Sequence, residues 1–213
     1  MAGLRERKKQ QTRTHISDVA TGLFLERGFD AVTVAEVAEA ADVSVNTVYN
    51  YFPAKEDLFL DREEEVVERP SERVRSRAPG ESAPEAVLRG LRTDIEERQP
   101  WAGLGEGYER FVSVAFSAPT LTARLIHMMY RTQQRLAETL AEEAGDPAGD
   151  HRAEFIAGQL MAVQGAVYRT AGQCALDAWS VEETARLMLE KLALAETLLS
   201  PEVRDYARRP VAG

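Results

Sequence analysis

The sequence predicts an all-α protein, with a small three-helix head at its amino end and a larger helical body behind it. Three observations carry the prediction. None of the 213 residues falls in a stretch that alternates polar and apolar in the manner of a strand. Apolar residues instead recur at helical spacing, as in Ile16, Val19, Ala20, Leu23 and Phe24. The stretch 33–55, TVAEVAEAADVSVNTVYNYFPAK, reads as two short helices joined by a tight turn.

Taken in order, residues 1–10 form a basic arm, disordered or fraying into a helix, and a first helix starts at Thr12. Gly28 sits where a left-handed cap ends it, with Phe29 packing back on the last turn. Thr33 followed by Glu36 is a capping box, so a second helix starts at Val34 and buries Val34, Val37, Ala38 and Ala41. Asp42 and Val43 make the turn. Ser44 caps a third helix that turns Val48 and Phe52 inward, leaves Val45, Asn46, Thr47, Tyr49 and Asn50 outside, and stops at Pro53. A short helix that exposes small, hydrogen-bonding and aromatic side chains, docked on another by a fixed turn, is how helix-turn-helix proteins enter the major groove.

The body follows as a series of helices. A fourth opens at 54–57, turns Leu58, Phe59 and Val66 or Val67 inward, and should end or kink at Pro70. Residues 70–84, with three prolines and no apolar stripe, read as a loop. Ser82 or Ala83 leads a helix carrying Val87, Leu88, Leu91 and Ile95, broken at Gln99 and Pro100. Residues 101–107 are a glycine-rich connector that follows no strand, so no phosphate loop is implied. A short helix over 108–116, a longer one over 120–144 and a turn at 145–149 come next. Two long helices close the series, over 150–176 and from the Ser180 capping box to Leu199, where Ser200 and Pro201 stop the second. Gly158, Gly165 and Gly172 recur every seven residues. Each costs about 1 kcal/mol against alanine inside a helix, which implies close packing, either within one subunit or between two.

Composition narrows the chemistry. No run approaches the ~18 apolar residues of a membrane helix, and the charged start is no signal peptide, so the cytoplasm is the expected compartment. The single Cys174 excludes an internal disulfide. His15, His127 and His151 are scattered, so neither a metal site nor a catalytic constellation is expected, nor any cofactor. The net charge of −9 looks adverse for binding DNA. Its distribution is less so: Arg5, Arg7, Lys8, Lys9 and Arg13 face only Glu6 within residues 1–15, which implies a weakly basic or neutral head on an acidic body.

Thr33, Ala38, Ala41, Val43, Ser44, Thr47, Tyr49, Tyr51, Phe52, Lys55 and Leu58 resemble the amino-terminal pattern of the tetracycline-repressor (TetR) family of bacterial regulators. Asp42 departs from it, standing where the family usually has glycine, and Asp tolerates a left-handed turn at small cost. The likeness covers roughly the first 60 residues. It implies a DNA-binding head over 1–55 and a ligand-binding and dimerisation body over 56–213. The implied DNA contacts are Thr33, Ser44, Val45, Asn46, Thr47, Tyr49, Asn50, Tyr51 and Lys55. Asn46 can pair with adenine and Val45 can touch a thymine methyl. Tyr49 and Lys55 fall where phosphates are gripped, and Tyr51 either joins them or supports the head from a half-buried position.

The resemblance also implies an effector pocket in the body. Phe59, Trp101, Tyr108, Phe111, Phe116, Met128, Met129 and Tyr168 are its apolar candidates, each of which, taken singly, is more often plain core. Arg92, Gln133, Gln164 or Arg169 would be polar partners. Because the family dimerises through its last two long helices, Gly158, Gly165, Gly172, Leu187 and Leu194 fall at the subunit interface. The implied function is a homodimeric repressor, released from a pseudo-palindromic DNA operator by a mostly apolar small molecule. The alternatives are an activator or an effector-independent regulator whose body binds a protein partner, and an enzyme that borrows the helix-turn-helix.

Overall fold

The computed structural model describes residues 2–211, apart from the side chains of Ala2, Leu4 and Arg5. Among them the chain is all helix and turn, with eleven α-helices, one 3-10 turn and no strand. It divides into two compact units, Met1–Glu63 with Arg110–Leu125, and Glu64–Glu109 with Ile126–Gly213.

The first unit holds α1 (Ala2–Arg27), α2 (Val34–Ala40), α3 (Val45–Tyr51) and α4 (Lys55–Phe59). Its core is Ile16, Ala20 and Phe24 of α1 closing on Val37, Ala38, Val48, Phe52 and Leu58. The turn chemistry is as the residues predict. Gly28 takes φ 86° and Asp42 φ 53°, both left-handed. The Asp42 geometry brings the Val43 N–H to the Ala38 carbonyl at 2.9 Å, which closes α2 and aims α3. Thr33 and Glu36 form the reciprocal capping box, and the Ser44 hydroxyl accepts from the Thr47 N–H.

Two expectations for this region give way. The arm is helical, since α1 starts at Ala2 rather than Thr12. Its Arg, Lys and Gln side chains are good helix formers that lose little freedom there. The expected fourth helix is two helices, α4 and α5 (Glu63–Arg75), interrupted at Leu60 (φ −109°, ψ 41°).

In the second unit, α6 (Ala83–Glu96), α9 (Arg152–Leu176) and α10 (Val181–Leu198) pack around Val87, Leu91, Ile95, Leu160, Met188 and Leu192. Leu136 and Leu140 of α8 (Pro119–Ala144) complete that core. α7 (Tyr108–Ser117) precedes α8. A 3-10 turn at Pro100–Ala102 sits inside the expected connector, and Gly103 after it takes φ 81°. Pro201 does not simply stop the chain's last long helix. It opens a further short one, α11 (Pro201–Arg204), capped by Ser200.

Pro70 neither ends nor kinks the chain out of helix: α5 runs through it to Arg75, so only residues 76–82 remain of the expected loop. A proline inside a helix removes one hydrogen bond. α5 compensates through side chains that reach α8. Glu64 pairs with Arg131 (2.8 Å), Glu68 with Arg135 (2.6 Å), and Arg75 donates to the Thr139 hydroxyl (3.0 Å). Exposed pairs are each worth about 0–1 kcal/mol, but several along one helix form a network. The remaining loop is stitched to the last residues. The Arg209 N–H donates to the Glu81 carbonyl (3.0 Å), and the Arg209 guanidinium donates to the carbonyls of Arg75 (2.8 Å) and Arg77 (2.6 Å).

Candidate nucleic-acid interface and effector site

α3 carries no charged residue and is held by its inner side alone. Val48 is fully buried and Phe52, its C-cap, is 1 % exposed. On the outer side Val45 and Tyr49 are exposed at 39 % and 49 %. Asn46 and Asn50 are exposed too, and neither they nor the Tyr49 hydroxyl makes a hydrogen bond among the described residues. Unsatisfied amide and phenol groups on one short, locally anchored helix are what base edges and phosphates require of a reading surface.

The other head candidates have internal employment. Ser44 and Thr47 hydroxyls bond each other at 2.8 Å. The Thr33 hydroxyl and N–H both donate to the Glu36 carboxylate at 2.8 Å. The Thr33 N–H, then Arg27, hold that carboxyl's pKa down at about 2. Tyr51 is half-buried, and its carbonyl accepts from Arg13 at 2.7 Å while the Arg13 guanidinium lies 4.4 Å from the Phe52 ring centroid. Lys55 donates to the Phe29 carbonyl at 2.6 Å and sits 4.3 Å from the Phe29 ring centroid, so it clasps the α1–α2 turn. The head is neutral, as expected: residues 1–55 hold seven Lys and Arg against seven Asp and Glu. On the first turns of α1 the cations Arg7, Lys8 and Lys9 are exposed together, and the Arg5 side chain lies outside the described residues.

The effector candidates disperse. Phe59 and Phe111 stack at 4.7 Å in the core of the first unit, and Phe116 is 67 % exposed. Met129 is exposed, Met128, Gln133 and Gln164 are half-buried, and Arg92 is engaged with Glu196 at 2.8 Å. Trp101, Tyr108 and Tyr168 fall in one region of the second unit, with three residues that sequence reasoning missed: Arg69, Arg73 and Asp94. Arg73 pairs with Asp94, and the Tyr168 hydroxyl donates to the same carboxylate at 3.4 Å. Burial first, then the Asp94 charge, pushes the Tyr168 phenol above its usual range, and burial does the same to Tyr108. The signal was present in α6, where Asp94 interrupts the inward stripe between Leu91 and Ile95.

The last two long helices share an open groove of about 490 Å³, lined by Ala166, Arg169, Thr170, Gln173, Lys191, Leu194, Ala195 and Leu198. Leu194 and Leu198 are exposed at 60 % and 77 %. Gly158, Gly165, Gly172 and Leu187 are half-buried. A Cβ at Gly158 would meet only Gln133 at 3.5 Å, and one at Gly165 the flexible tip of Arg169 at 3.2 Å. Packing within this chain therefore does not demand glycine at either position. Cys174 is buried, and no cluster of metal-ligating side chains forms among the described residues.

The model of the family described as "Bacterial regulatory proteins, tetR family" matches residues 16–61, the span of the helix-turn-helix and its flanks. Along nearly the whole chain the sequence is similar to the HTH-type transcriptional regulator TcmR of Streptomyces glaucescens: 28 % identical over 99 % of this chain and 92 % of that protein. A head-sized segment of 61 residues is 39 % identical to the HTH-type transcriptional regulator AcrR of Shigella flexneri, covering 29 % of this chain and 28 % of that one. Among solved structures, NalD, the secondary repressor of the MexAB-OprM multidrug efflux pump in Pseudomonas aeruginosa, shares the fold. Its TM-score is 0.58 at 18 % identity, over 87 % of this chain and 97 % of NalD. Capped α2, left-handed turn, outward-facing α3 and helical body thus have one common explanation: the chain is a TetR-family transcriptional regulator.

Proposed function

We propose that the protein is a homodimeric repressor that reads a pseudo-palindromic operator with α3 and leaves it when its body binds a mostly apolar small molecule. The observation that carries this is the free outer face of α3. Asn46 and Asn50 offer amides to base edges, Val45 a methyl contact, and Thr47 and Ser44 hydroxyls at the helix start. Tyr49, together with Thr33 at the N-terminus of α2, meets phosphate, as do the exposed cations of α1. Tyr51 and Lys55 act behind this surface, as supports that hold α3 at its angle. Functionally the division is a reading head over 1–55 and a sensing and dimerising body over 56–213.

The groove on α9 and α10, with exposed Leu194 and Leu198 and the glycine stripe beside it, supports a subunit interface made by those helices. Two heads would then meet successive major grooves about 34–36 Å apart. Release is a population shift: the small molecule binds the state that does not fit the operator better than the one that does, and operator DNA weakens the small molecule by the same factor. The test is a fluorescence-anisotropy titration of the purified protein against the DNA upstream of its coding sequence, over a range of salt. Tight binding at two subunits per site with a steep salt dependence is expected. Absence of binding there, and of any enriched site in a selection from random DNA, would overturn the reading.

A further inference from the structure

Arg69 and Arg73 lie one turn apart on α5, so their guanidinium groups leave the same side of that helix. Arg73 crosses α6 at Gly90, where a Cβ would stand 2.3 Å from its Cδ and Nε, and reaches Asp94. Both partners are well covered, with side chains 14 % and 9 % exposed, and Tyr168 of α9 shares the same carboxylate oxygen. Arg69 makes no ion pair among the described residues. Its guanidinium lies 4.6 Å from the centroid of the Trp101 ring. Two cations and one carboxylate leave the cluster one negative charge short, with Arg73 and Asp94 covered and Arg69 half-buried.

Trp101 gives this cluster an outer wall. Its ring is 40 % exposed, while the connector that carries it is pinned two residues later. At Gly103 a Cβ would stand 2.7 Å from both the Tyr108 ring and Ala171, so only glycine fits between α7 and α9. The tryptophan is therefore a fixed, accessible aromatic surface beside an uncompensated guanidinium. A cation would meet two arginines there, and a neutral amide would gain nothing from the surplus charge. An aromatic carboxylate keeps its acid and its ring nearly coplanar, so pairing with Arg69 sets the ring beside Trp101.

We propose that the effector is a flat aromatic acid, bound with its carboxylate on Arg69 and its ring along Trp101, next to the Arg73–Asp94 pair. The proposal rests on the reading of the body as an effector site. It also says how binding is felt: the acid's contact falls on α5, the helix that follows α4 in the chain, one turn from the Arg73 that Asp94 holds.

The experiment is calorimetric titration of the full chain with benzoate, 2-naphthoate and anthracene-2-carboxylate, each against its own amide. At least one acid should bind tenfold or more tightly than its amide and release operator DNA. Arg69→Gln should abolish that preference without changing amide affinity, and Trp101→Leu should weaken acid and amide together. Equal binding of acids and amides, a preference that survives Arg69→Gln, or no binding by any of the three acids overturns the proposal. Operator titrations run beside these keep the two readings apart. Operator binding with no acid response removes only this inference, whereas no operator binding removes the regulator reading itself.

Discussion

α3 and α5 are both short helices, and they hold on to the protein in different ways. α3, seven residues without a charge, is fastened by a buried valine, a buried aromatic C-cap and a serine N-cap. α5, with eight charged residues of thirteen, buries Val67 and Val74 and adds to them arginine and carboxylate contacts to α8 and α6. The difference lies in what each leaves unspent. Apolar anchoring keeps the polar atoms of α3 free for something outside the protein. Ionic contacts consume those of α5 internally and leave a helix whose attachment depends in part on charge.

The sharpest way to break the contrast is at the apolar anchor. Phe52→Ala removes a ring that is 1 % exposed, so it should cost about 4 kcal/mol in chemical denaturation and abolish operator binding. A loss below about 1 kcal/mol would mean that α3 is held by something else. For α5 the matching test is Asp94→Ala, which strands the covered Arg73 and should cost about 3 kcal/mol. Replacing both partners by apolar residues should recover most of it. If the double variant is no better than the single, the ion pair is not what fastens α5 to α6.

Smaller effects sharpen the picture. Asn46→Ala should weaken operator binding by about 1–3 kcal/mol and relax specificity at one base position, with folding stability unchanged. Uniform weakening across all sequences would reassign Asn46 to phosphate. Thr33→Ala removes the α2 cap and should cost about 1 kcal/mol. Its partner Glu36 has its carboxyl lowered from 4.5 to about 2 in the folded protein, so the stability it supplies is complete above pH 4.5. That stability fades as the pH falls from there through about 2. Glu36→Gln should flatten that portion of an acid-unfolding profile, and an unchanged profile would exclude the carboxyl as a source of acid sensitivity.

The head was legible from sequence because its determinants are local. Thr33 reaches Glu36, Ser44 reaches Thr47, and Asp42 sets its own backbone. What was misread depends on partners far along the chain. The passage of α5 through Pro70 is secured by Arg131, Arg135 and Thr139, more than sixty residues away, which no local rule for proline includes. At Lys55 the position in the motif was visible, and the bond it makes to the Phe29 carbonyl was not. The pocket candidates were chosen as aromatic and sulfur-bearing, a criterion that cannot tell the stacked core ring of Phe111 from the exposed ring of Trp101. The charged residues that gather beside Trp101 were passed over for the same reason.

The outer face of α3 has a consequence for inheritance. Asn46, Tyr49 and Asn50 touch no other side chain through a hydrogen bond, so nothing in the folded protein selects their identity. Mutations there can wander without a stability penalty, so long as Ser44, Val48 and Phe52 stay. A duplicated copy of such a protein could thus acquire a new set of target sequences in a few single-residue steps, each intermediate fully folded. The response to small molecules proposed above, resting on a separate set of residues, would be carried along unaltered.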